Sequence, residues 1–115
     1  MPINPDTIYL GHMAESVARI ADFVARVPRE DFDREWTLQN ALIRELEILG
    51  EAAGKLSAQF VSANPQVPWR EMTGLRHKLI HDYFEVDLDI VWRTATVNVP
   101  EISESLRTAR GERNR

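Results

Sequence analysis

"TLQNALIRELEILGEAAGKLSAQF", from Thr37 to Phe60, is the stretch that decides the fold. Leu42, Leu46, Leu49, Ala53, Leu56 and Phe60 recur at alternating steps of four and three residues, the spacing that lines one face of an α-helix. Ile43 and Ile48 lie off that face, so this helix is apolar on more than one side. Such a helix must be covered from two directions, which makes it the centre of a bundle.

Working outward, Asp6 to Val27 carries a single stripe of Leu10, Met13, Val17, Ile20, Val24 and Val27. Asn4 or Asp6 can cap its start, and Pro28 ends it, because proline disfavours a helical residue before it. On the other side, "SANPQVP" (Ser62 to Pro68) is a loop marked by its prolines and asparagine. A third helix is predicted over Trp69 to Asp82, followed by a turn at "EVD". A fourth starts near Asp87 and points Leu88, Val91, Trp92, Ala95, Ile102 and Leu106 inward, with a kink or split at Pro100. No repeat, low-complexity tract or strand-like alternation interrupts this pattern. The expected fold is all-α, an antiparallel four- to five-helix bundle forming one domain over residues 1–110, with residues 111–115 as a charged, frayed tail.

Composition bounds the function. With 115 residues, the chain hides only about 60–70% of its unfolded surface on folding, so self-association would help it. It has no cysteine, which excludes disulfides, thiolate metal sites and a cysteine nucleophile, and it fits a reducing cytoplasm. No apolar run approaches membrane-spanning length. A net charge of −4 argues against a general nucleic-acid coat, but not against a cleft that grips one or two phosphates.

Two tempting motifs fail on spacing. "GEAAGKLS" (Gly50 to Ser57) has one residue too few between its first glycine and the Gly-Lys pair for a phosphate loop, and it lies inside a helix. Gly50 and Gly54, one turn apart, instead suggest close approach of a neighbouring helix. "HKLIH" puts His77 and His81 at a metal-friendly spacing, but Lys78 follows the first histidine and no third ligand is evident. No metal and no cofactor is expected.

"GLRHKLIHDYFEVD" (Gly74 to Asp87) holds the chemistry. On a helical wheel Met72, Leu79, Ile80 and Tyr83 share a broad apolar side with Leu75, Arg76 falls at its border, and His77 and His81 fall opposite. An imidazole titrates near neutrality and moves protons, and a guanidinium holds phosphate oxygens bidentately. Together they suit cleavage of RNA by its own 2′-hydroxyl, leaving a 2′,3′-cyclic phosphate and a 5′-hydroxyl. Arg76 and His81 stand about 140° apart on the helix, so they converge only at a groove edge or across two copies of the chain.

"RHKLIHDY" fits the pattern Arg, four residues, His, any residue, Tyr. With "ALIRELEILGEAAGKLS" before it and "VPWREMTGLRHKLIHDYFEVDLDIVW" around it, the sequence resembles a HepT-like toxin of the HEPN superfamily over most of its length. The resemblance implies a homodimeric endoribonuclease of a type VII HEPN/minimal-nucleotidyltransferase toxin–antitoxin system. Arg76 and His81 match the catalytic pair, and His77 and Lys78 are auxiliary candidates for phosphate and RNA binding. Tyr83 matches a tyrosine to which a nucleotidyltransferase antitoxin adds AMP, with Asp82 and Phe84 in the same contact. Expected partners are an RNA such as a tRNA or an mRNA, a second or further copy of the chain, and that antitoxin. The competing readings are a non-catalytic HEPN module that binds a nucleotide or a nucleotidyltransferase, and a purely structural dimerising bundle.

Overall fold

The structure, a computed structural model, describes residues 4–81 and 87–111, and the side chains of all of these except 76–81. Four long helical rods dominate: α1 (Pro5–Arg26), α3 (Trp36–Gly54), α5 (Trp69–His81) and the run formed by α6 (Leu88–Arg93), a π-helical segment (Thr94–Asn98) and α7 (Val99–Ala109). Two short helices, α2 (Arg29–Arg34) and α4 (Ala58–Ala63), sit in the connections. The described residues contain no strand, so the all-α expectation holds. No described helix is long and apolar enough to cross a membrane. The tail expected beyond Gly111 lies outside the described residues.

The α1 stripe forms as its periodicity predicts. Leu10, Met13, Val17 and Ile20 are buried, and Val24 and Val27 are half-buried at the end. Asn4 is the cap: its side chain accepts a hydrogen bond from the Asp6 N–H at 3.0 Å. Asp6 does something else. Its carboxylate accepts both the N–H and the hydroxyl of Ser57, at 2.8 and 2.6 Å, and so ties the start of α1 to the start of α4.

α3 is central, as its two apolar faces require. It packs against α1 on one side and α5 on the other. Against α1 it runs antiparallel, with Tyr9 beside Lys55 and Phe23 beside Leu42. The seam carries one buried polar contact: Ser16 Oγ lies 2.7 Å from the Glu45 carbonyl oxygen and 3.0 Å from Glu45 Oε1. Arg19 Nε donates to Glu45 Oε2 at 2.8 Å. This hydrogen bond, then the carboxylate's charge, hold the Arg19 guanidinium above its ordinary pKa.

Two details depart from the sequence reading. α3 stops at Gly54 rather than running to Phe60, because Ser57 caps a new helix, accepting from the Phe60 N–H at 3.1 Å. A short helix, α2, is inserted after Pro28. The interruption expected at Pro100 takes the form of a π segment, Thr94–Asn98, between α6 and α7. A proline without an N–H would press its ring on the carbonyl four residues back. The rod widens instead into a π turn before it, where the Val99 N–H reaches the Thr94 carbonyl.

Of the two α3 glycines, Gly50 is buried. Gly54 is exposed, and a Cβ built there would meet Thr73 Cγ2 of α5 at 3.7 Å, an ordinary contact. The α3–α5 approach therefore does not depend on glycine at position 54. Gly54→Ala is expected to stabilise the fold by about 0.5–1 kcal/mol through helix propensity, read as a higher denaturant midpoint at an unchanged slope.

Candidate active site

Arg76 to His81, the described part of the motif, form the end of α5, and the described chain on both flanks is firmly fixed. Ahead of it, Trp69 is buried, donates its indole N–H to the Asn64 carbonyl at 2.9 Å and meets Phe60 edge-on at 6.1 Å between ring centres. The Met72 N–H bonds the Pro68 carbonyl at 3.1 Å, and the Met72 side chain is fully buried. These contacts set the axial rotation of α5 before the motif begins.

Beyond the motif, Asp87 caps α6 by accepting from the N–H groups of Asp89 and Ile90, at 2.9 and 3.3 Å. Arg29 of α2 pairs with Asp33 at 2.7 Å and with Asp89, and its guanidinium stands 5.9 Å from the centre of the Trp92 ring. The hydrogen bonds that Arg29 donates to Asp33 and then to Asp89 raise its pKa above the ordinary arginine value. Trp92 in turn packs on Phe32 at 5.1 Å. The chain is thus pinned at Trp69 and Met72 on one side of the motif and at Asp87 to Trp92 on the other.

Position 76 lies within about 20° of the column of Trp69 and about 40° from Met72. Position 81 lies in the column of Gly74, seven residues back, and position 78 in that of Glu71. Gly74 and Glu71 line a groove of about 540 Å³ between α5 and the π segment with α7. Positions 76 and 81 thus belong to different columns of the α5 backbone, about 140° apart. The side chains of Arg76, His77, Lys78 and His81 lie outside those described, and Asp82, Tyr83 and Phe84 lie outside the described residues altogether.

Sequence reasoning did not find the groove. Thr94, Asn98, Glu101 and Ile102 form its far wall, and they belong to a rod read only for its apolar stripe. The usable signal was Pro100, which forces the π turn that sets this wall. Among the residues whose side chains are described, which exclude His77 and His81, no group of three or more His, Asp and Glu could hold a metal ion.

An all-helical bundle with Arg-x4-His closing its third long helix is the architecture of the HEPN superfamily. A family model described as "Ribonuclease HepT-like" matches residues 13–109, and the chain belongs to that family. It is similar to "Probable ribonuclease HepT" of Thermococcus cleftensis, 40% identical over 94 residues that cover 82% of this chain and 86% of that one. It is also similar to "Putative RNase MJ0127" of Methanocaldococcus jannaschii, 36% identical over 116 residues, covering 97% and 96% of the two chains. No solved structure matches the chain at a significant level.

Proposed function

We propose that this protein is a metal-independent endoribonuclease, the toxin of a type VII HEPN/minimal-nucleotidyltransferase pair. The observation that carries the reading is "RHKLIHDY" at the end of α5 in a chain of the HepT-like family. His81 takes the 2′-hydroxyl proton as the oxygen attacks the adjacent phosphorus, and the 5′-oxygen leaves with a proton. Arg76 stabilises the charge gathering on the phosphoryl oxygens. His77 and Lys78 hold the neighbouring phosphate. AMP on Tyr83, added by the antitoxin, would place an anionic nucleotide beside these groups and close the site by charge and bulk.

The divergent columns of positions 76 and 81 favour a site shared between two copies, with the arginine of one facing the histidine of the other. A mixture of inactive chains tests this together with the chemistry. The full chain, incubated with RNA in excess EDTA, is expected to release fragments ending in 2′,3′-cyclic phosphate. Arg76→Ala and His81→Ala chains should each be inactive alone. Co-refolded, they should recover up to about a quarter of the wild-type rate, because half the random dimers would hold one intact site of their two. Cleavage by both single variants at the wild-type rate, or none by the wild type, would sink the nuclease reading. Inactive singles with no recovery on mixing would sink only the shared site. Mass spectrometry after co-expression with the antitoxin should find the added nucleotide on Tyr83; the same mass on a Tyr83→Phe chain would refute that assignment.

A further inference from the structure

The groove beside positions 78 and 81 has a wall the proposed chemistry does not use. Its floor is apolar, with Leu75 and Ile102. Its rim carries Glu71, Asn98 and Glu101, whose side chains make no hydrogen bond or ion pair among the described residues. The recess on the opposite side of α3 is different. There Lys55 pairs with Glu51 at 3.7 Å and stands 5.8 Å from the centre of the Tyr9 ring, so its polar groups already satisfy one another. Of these two recesses, the first combines open volume, an apolar floor and polar groups uncommitted among the described residues.

We infer that this groove is a base-reading pocket for an unpaired guanine in the RNA strand, with Glu71, Asn98 and Glu101 as its specificity residues. The inference rests on the nuclease reading and supplies its substrate preference. Gly74 lines the groove, and position 81 lies seven residues further along the same column, about 10 Å up the helix. That distance is within the span of a dinucleotide, so a strand cut at His81 can leave a neighbouring base over the groove. Unpaired bases in RNA are read by hydrogen bonds to their exposed Watson–Crick edges, and the apolar floor of Leu75 and Ile102 gives the base an aliphatic surface to lie on.

The edge that suits this rim is that of guanine. It offers two adjacent N–H donors, which one carboxylate accepts together, and a carbonyl oxygen, to which an asparagine amide can donate. Uracil presents a single N–H between two carbonyl oxygens, and those oxygens are repelled by carboxylates. Two carboxylates would be a poor lining for phosphate, so the base and not the backbone occupies the groove. An acidic chain with net charge −4 is consistent with this, since such a rim gives up general affinity for selectivity.

The test uses an RNA library randomised around a single cleavable step. The wild-type chain cleaves it, and a His81→Ala chain selects from it by binding. The expected result is guanine enriched at one fixed position next to the cut, by about tenfold over uracil, within the range for one bidentate base contact. Glu71→Gln, Glu101→Gln and Asn98→Ala should each flatten that enrichment while still cutting guanine-free substrate. Wild-type cleavage with a base profile that these variants leave unchanged would overturn the pocket and spare the nuclease. If the wild type cuts nothing, the nuclease reading falls. Binding selection then decides the pocket alone, and no enrichment, or tighter binding of all sequences by the glutamine variants, overturns it. A groove that instead receives a basic side chain of a protein partner would show as that last pattern.

Discussion

His81→Ala is expected to lower the rate of RNA cleavage by about 10²–10⁴-fold, the range for loss of a general base, with helix content and denaturation midpoint unchanged. The physical basis is narrow. A ribose hydroxyl is a poor nucleophile until its proton is taken, and an imidazole is a side chain suited to take it. Position 81 is the last residue of α5, one helical column from the groove and well past the Trp69 and Met72 anchors. Truncation there removes the proposed reacting group and leaves the Trp69 and Met72 anchors untouched. Single-turnover rates against pH give the sharper reading. The wild-type rate should rise through the imidazole range as the base loses its proton, and the residual rate of the variant should lose that step. A variant that keeps both the rate and the step would show that the imidazole at 81 is not the base.

The parts of this molecule that were legible in its sequence are those where one periodicity acts without interruption. The stripe of Leu10, Met13, Val17 and Ile20 sits on one helix with a cap at one end and a proline at the other, and every member is buried. The central role of α3 could be read from Ile43 and Ile48 because residues off the main stripe need a second neighbour. The break after Gly54 could not be read the same way. Leu56 and Phe60 continue the α3 spacing across it, so periodicity stays silent while Ser57 and Asp6 build a new cap. α2 was missed for the opposite reason: its six residues, "REDFDR", contain one apolar side chain, too few to show any period. At the candidate site the residue types were legible, since arginine, histidine and tyrosine at set spacings have few structural uses on one helix. The groove was not, because its walls come from rods brought together only by the fold, and its residues share no local pattern.

Phe32→Ala should be the most damaging single truncation outside the motif, at about 3–5 kcal/mol. A lone aromatic in a charged hexapeptide would pass for surface, yet Phe32 is 0% exposed. Its ring meets Phe23 of α1 edge-on at 6.4 Å and Trp92 of α6 at 5.1 Å, so one side chain of α2 joins α1 and α6. Removing it loses the transferred area and leaves a cavity that α2 is too short to fill by shifting. For a domain whose total stability falls in the usual range of about 5–15 kcal/mol, that is about a fifth or more of the whole. At about 4 °C per kcal/mol, the thermal midpoint should fall by about 12–20 °C. The loss should also reach the motif. Trp92 is held between Phe32 and the Arg29 guanidinium, and Arg29 pairs with Asp89 at the first turn after the motif. Hydrogen exchange of α6 amides should therefore accelerate in Phe32→Ala well below its melting temperature, whereas Arg29→Ala, which leaves the Phe32–Trp92 contact in place, should loosen α6 with a far smaller drop in midpoint. Equal exchange of α6 in Phe32→Ala and the wild type at matched temperature would show that the aromatic contact stabilises the bundle without holding the helix beside the motif.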